Sequence, residues 1–168
     1  MLSTKSYFTI FLAFTLAGIF WACNGDDLPG SNNNKCKTIT ADTGIIQQEL
    51  NFENCFIEKR EDHYQIEDTA VYDSLISELS NEFLCDSSSF PSIDFSKHAL
   101  LGLWADGGGC SINFYRTAGD ERSAKKYVYT ITVQECGFCE MYGFSYNWVL
   151  VPKLPPGYSV KFQVKYIN

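Results

Sequence analysis

Tyr158 to Tyr166 alternates without a break. Val160, Phe162, Val164 and Tyr166 point one way, and Ser159, Lys161, Gln163 and Lys165 the other. That period of two predicts a strand with one buried face and one solvated, lysine-bearing face. Tyr127–Val133 (YVYTITV) repeats the pattern, and Phe144–Val151 (FSYNWVLV) predicts a further strand. Ala99–Trp104 (ALLGLW) is apolar throughout, the composition of a buried strand, and Cys110–Tyr115 alternates more weakly. The connections stand out by composition. Asp106, Gly107, Gly108 and Gly109 read as a glycine loop, a tight turn in which glycines supply positive φ. Thr117–Lys126 reads as a charged, exposed hairpin connection, and Pro152–Tyr158, with three prolines, as a turn.

The period changes once. Over Thr69–Phe83 the apolar positions Val71, Leu75, Ile76, Leu79 and Phe83 fall on one face of a 3.6-residue repeat, flanked by Tyr72. Asp68 or Thr69 can cap the start of this amphipathic helix. Upstream, residues 39–57 carry two apolar clusters that predict one or two strands. Lys59–His63 predicts a charged turn and Tyr64–Ile66 a short strand, while Cys85–Ser92 reads as a loop after the helix. Strands with turn signals about every ten residues and a single helix predict a mainly β (α+β) fold. Its expected form is an antiparallel β-sandwich or open barrel with one amphipathic helix.

The N-terminus has a separate logic. Lys5 supplies a positive n-region, Tyr7–Trp21 an apolar h-region, and Ala22 a small residue before Cys23. This is the layout of a signal peptide, and the cysteine after the small residue makes it resemble a bacterial lipoprotein signal. The expectation is cleavage after residue 22, lipidation of Cys23, and an outer-membrane lipoprotein of the cell envelope anchored by its N-terminal lipid. The bland alternative, an uncleaved anchor, requires about 20 apolar residues, more than Tyr7–Trp21 offers. Asp26 and Asp27 resemble the acidic signal that sends Bacteroidetes lipoproteins to the cell surface. Residues 23–35 are polar and turn-rich, a flexible tether, leaving 36–168 as a single β-rich domain. The net charge of −7 and pI near 4.7 argue against nucleic acid and anionic membranes as partners.

Without Cys23, six cysteines remain of seven: Cys36, Cys55, Cys85, Cys110, Cys136 and Cys139. An even number in an exported chain predicts up to three disulfides, with 15 pairings open. Cys136-Gly137-Phe138-Cys139 has the spacing of a redox pair, but a low-pKa cysteine usually needs a helix N-terminus, and no helical pattern follows. Structural disulfides, one of them with Cys110 as a partner, are the better reading. A zinc site lacks a second CxxC, and His63 and His98 have no ligand spacing. With 20 acidic residues, carboxylate pairs carry no information about glycosidase chemistry. No cofactor and no catalytic residue are expected. Two surfaces are candidates for contact: the Asp106–Gly109 turn, and the aromatic stripe Tyr142, Phe144, Tyr146 and Trp148.

Four segments in order, AVYDSLI (70–76), PSIDFSKHALLGL (91–103), GGGCSI (107–112) and NWVLVPKLPPGYSVKFQV (147–164), resemble the PrcB-like domain of small bacterial lipoproteins, many from Bacteroidetes. The resemblance covers about residues 64–168. It departs at Cys110, where the family more often has Tyr. It implies a non-enzymatic exported domain that assists the stability or assembly of a cell-surface protease complex. Two alternatives stand beside that expectation. An exposed aromatic patch around Tyr142–Trp148 would favour a glycan- or ligand-binding lipoprotein. An exposed Asp106–Gly109 loop would favour a protease inhibitor.

Overall fold

The structure, a computed structural model, describes residues 36, 39, 43–52, 61–82 and 90–167, all within the compact unit Lys35–Asn168. The signal, the tether, Cys23, Cys55, Phe83 and Cys85 lie outside the described residues. In chain order the described elements are β1 (Gln48–Leu50), β2 (His63–Ile66), α1 (Thr69–Glu82) and β3 (His98–Gly108). They continue as β4 (Ser111–Glu121), β5 (Lys126–Cys136), β6 (Tyr142–Pro152) and β7 (Ser159–Ile167). Two sheets result, β1-β6-β3-β2 and β4-β5-β7. Among the described residues the fold is mainly β with one α-helix, a sandwich-like α+β arrangement.

The uninterrupted apolar run of β3 has a direct cause, because both faces of the strand are covered. Ala99, Leu101, Leu103 and Ala105 meet Val149 and Val151 of β6 and Tyr127, Tyr129, Ile131 and Val133 of β5 in a core between the sheets. Leu100 belongs to a second core on the opposite face, with Trp148, Leu150, Ile66 and the helix residues Tyr72, Leu75 and Leu79. The described part of the domain therefore has three layers: helix, four-stranded sheet, three-stranded sheet. Gly102 sits on the helix-side face, where a Cβ would lie 2.4 Å from the Trp148 ring. Asn147, buried beside these cores, donates through Nδ2 to the carbonyls of Leu103 and Ser145, and its own carbonyl accepts the Tyr129 hydroxyl. Burial raises the Tyr129 phenol far above its ordinary value, with the Arg116 charge opposing the shift and the Glu49 charge adding to it, so it remains a donor.

Four features depart from the sequence pattern. Val71 is exposed and Tyr72 buried, so the helix presents Tyr72, Leu75 and Leu79 to the sheet. Asp68 caps it, accepting the Val71 amide at 2.9 Å, and the Tyr72 hydroxyl donates to the Pro91 carbonyl. Thr117–Glu121 is strand rather than connection, and the turn narrows to Arg122–Lys125. The sandwich is not wholly antiparallel, because β7 runs parallel to β5. The chain leaves β5, crosses to the other sheet as β6, and returns through Pro152–Tyr158, which gives β7 the direction of β5. Finally, Asp106–Gly108 belongs to β3, paired as far as Gly108 with Tyr142.

The segment Asp94-Phe95-Ser96-Lys97 is a turn that launches β3. Asp94 accepts the Ser96 amide and hydroxyl on Oδ1, and Lys97 Nζ lies 2.7 Å from Oδ2. The amides of Lys97 and His98 donate to the Asp94 carbonyl. Phe95 is thereby seated in the helix-side core, and its carbonyl accepts Lys153 Nζ. The Lys97 side chain and then Ser96 hold the Asp94 carboxyl below the usual carboxylate range. A folded-state value below the unfolded value of about 3.9 means a contribution complete above that pH and lost as pH falls through the folded value. Asp94→Asn is therefore expected to lower stability at neutral pH, with the deficit shrinking below about pH 4. Urea midpoints of both proteins across an acid series check this, and a deficit independent of pH would refute it.

Candidate functional site

One end of the sandwich collects most of the features singled out in the sequence. There β3 turns into β4 through Gly109 and Cys110, and β5 crosses to β6 through Gly137–Met141. Two disulfides hold this end. Cys110 bonds Cys139, joining the two connections, and Cys36 bonds Cys136, fixing the start of the domain to the end of β5. The Gly109 amide donates to the Met141 carbonyl, the Cys110 amide to the Cys136 carbonyl, and the Gly108 amide to Glu135 Oε1. Of the DGGG glycines, Gly109 alone has positive φ (123°), and a Cβ there would lie 2.9 Å from the Cys136 carbonyl oxygen. Gly107 is required for a different reason, since a Cβ would meet the Val133 side chain at 2.9 Å.

The disulfides decide what the CxxC pair can do. Cys136 and Cys139 are bonded to different partners, so they form no redox couple with each other and offer no thiolate to a metal. Among the described residues, no group of three or more His, Cys, Asp or Glu could hold a metal ion. Two disulfides place the domain in an oxidising, extracytoplasmic compartment. No helix among the described residues is long and apolar enough to cross a membrane.

The aromatic stripe is graded from core to water. On β6, Trp148 is buried against Phe52 and Tyr64, with ring centroids at 5.2 and 5.3 Å. Tyr146 is buried next to it, its hydroxyl donating to the Glu61 carbonyl at 2.6 Å. Phe144 is 38% exposed and Tyr142 67%. Half of the stripe is core and the other half is exposed. The cause is coverage by the neighbouring layer and strands. β2 pairs with β3 only as far as Leu103, and β1 with β6 only over Trp148–Leu150.

The sequence pattern missed Trp104. It pairs with Tyr146 across the sheet, stacks on Phe144 at 4.9 Å and 21°, and meets Tyr146 edge-on at 4.9 Å. Its place at the end of ALLGLW hid it among core residues. Period two does place it with Asp106 on one face. Asp106 stands opposite Phe144 and receives two hydroxyls, Tyr142 on Oδ2 at 2.6 Å and Tyr166 on Oδ1 at 3.2 Å. The bond to Asp106, then burial and the charges of Asp106 and Tyr166, raise the Tyr142 phenol above its ordinary value. Six large hydrophobics are exposed among the described residues. Phe138 (94%), Met141, Tyr142, Phe144 and Tyr166 belong to this end, and Val71 alone lies on the helix. Such an arrangement can grip a ligand by ring contact and charge. No protein-family model, curated protein or solved structure matches the chain.

Proposed function

We propose that this chain is a non-catalytic binding domain, held at the outer membrane by a lipid on Cys23, that stabilises or assembles a surface protease complex by contact. The observation that carries the reading is the concentration of exposed Phe138, Met141, Tyr142, Phe144 and Tyr166 on one disulfide-held end. Monomeric surfaces scatter such residues, whereas clusters rimmed by polar groups mark docking sites. Aromatic residues and Met are enriched in interfaces, where they bury much area at low conformational cost. Disulfides and backbone bonds pre-organise the end, which reduces the ordering cost of association. The PrcB-like resemblance supplies the protease complex as the partner class. Asp106–Gly108 lie within a paired strand, which withdraws support from the protruding-loop inhibitor reading.

The test is a crosslinked pull-down of the native lipoprotein from its own cells, read by mass spectrometry beside a Phe138→Ala/Tyr142→Ala variant. Both side chains are largely exposed, so the variant is expected to fold normally and to recover the partner at least about tenfold less well, the scale of one interface hot spot. Undiminished capture would remove this end as the binding surface. A second reading, glycan binding, is favoured by the Trp104–Phe144 stack beside Asp106, and absence of any protein partner would bring it forward.

A further inference from the structure

The charge of Asp106 is met by hydroxyls rather than by a cation. Elsewhere on the described surface, Asp94, Glu49, Asp120 and Glu121 are paired with Lys97, Arg116, Arg122 and Lys126. Asp106 has no cationic partner among the described residues and receives only two neutral tyrosine hydroxyls. No lysine or arginine occurs in residues 104–112 or 133–146, which carry Asp106, Glu135 and Glu140. The carboxylate is half-buried among Tyr142, Phe144 and Tyr166, with the Trp104–Phe144 stack beside it. Each Asp106 oxygen accepts one hydroxyl and keeps a second acceptor direction.

We propose that Asp106, with the rings of Trp104, Tyr142, Phe144 and Tyr166, is a receptor for an arginine side chain presented by the partner protein. This assignment rests on the contact function above and names the chemistry of its anchor. A guanidinium is planar, so it can lie against aromatic faces while its fork donates to both oxygens of one carboxylate. Rings add attraction for the cation, and a partly desolvated site strengthens it. Lysine satisfies the charge but neither the stacking nor the fork. A sugar would use the rings and the acceptors, but it would leave the charge unmatched.

The experiment titrates the full chain with acetyl-Gly-Arg-Gly-amide, following the Trp104 indole and the tyrosine ring resonances by NMR. The lysine peptide and a neutral oligosaccharide serve as parallel probes. Saturable shifts with the arginine peptide are expected, with weaker binding of the lysine peptide. Asp106→Asn should reduce arginine affinity at least about tenfold, and raising salt from about 0.05 to 0.5 M should weaken it. The asparagine keeps the size of the side chain, and Tyr142→Phe, which removes only a hydroxyl, provides a second variant expected to bind less tightly. Equal arginine binding by Asp106→Asn, or shifts produced by the oligosaccharide and not by the arginine peptide, would overturn the assignment. Partner capture that survives Asp106→Asn but is lost in Phe138→Ala/Tyr142→Ala would overturn it too, while leaving the contact function standing.

Discussion

Gly102→Ala is expected to destabilise the domain by about 3 kcal/mol, at the upper end of overpacking costs. The added methyl would lie 2.4, 2.5 and 2.8 Å from three atoms of the Trp148 ring. That ring cannot retreat, because Phe52, Tyr64 and Tyr146 surround it at centroid distances of 5.2, 5.3 and 5.7 Å. Gly102 and Trp148 are opposite one another on β3 and β6, so strain there reaches both central strands of the four-stranded sheet. Urea denaturation of single and double variants checks the mechanism. In a Trp148→Leu background, itself weakened by lost ring burial, the same glycine substitution should cost much less, since the two sites share one contact. Equal costs in both backgrounds would show that the indole is not what excludes the methyl.

Cutting the Cys36–Cys136 disulfide is the second large effect. Its sequence separation is 100 residues, and a closed loop of that length constrains the unfolded chain by about 4.7 kcal/mol in the chain-entropy account. The separation of Cys110 and Cys139 is 29, for which the same account gives about 3.6 kcal/mol. Against a typical net stability of 5–15 kcal/mol, losing either bond is severe. The Cys36→Ala/Cys136→Ala variant should melt below the Cys110→Ala/Cys139→Ala variant, and both below the parent. The reverse order would mean that local packing around Cys110 outweighs the long loop. Calorimetric scans of the three proteins under non-reducing conditions decide between these accounts.

The elements were legible wherever one face of an element meets water. Strand β7 and the helix were located correctly because Lys161 and Lys165, or Asp73 and Glu78, mark the solvated side, although Tyr166 and Val71, expected on the buried faces, are exposed. The three-layer stack was not legible, because a strand buried on both faces loses its period. ALLGLW announces burial but hides that Leu100 and Leu101 enter different cores. The parallel partner of β7 was hidden as well, since alternation reports faces and not directions. At the site, the sequence located the aromatic stripe and the cysteines. It could not divide the stripe into a buried and an exposed half, because that depends on how far β1 and β2 extend along longer neighbours. Asp106 reads as loop in the sequence because glycines follow it. Those glycines instead serve close approach within the strand and one turn at Gly109.

The strand order also sets when the domain can fold. Strand β1, near the start of the domain, has its partner at Trp148–Leu150, and the three-stranded sheet is completed only by β7, the last strand described in the domain. Both sheets stay open until nearly the whole domain is present. Pairings this distant in sequence form slowly. A chain crossing a membrane N-terminus first would therefore remain threadable through most of its passage. Its compact shape, and the oxidation that closes Cys36 onto Cys136, would belong to the far side.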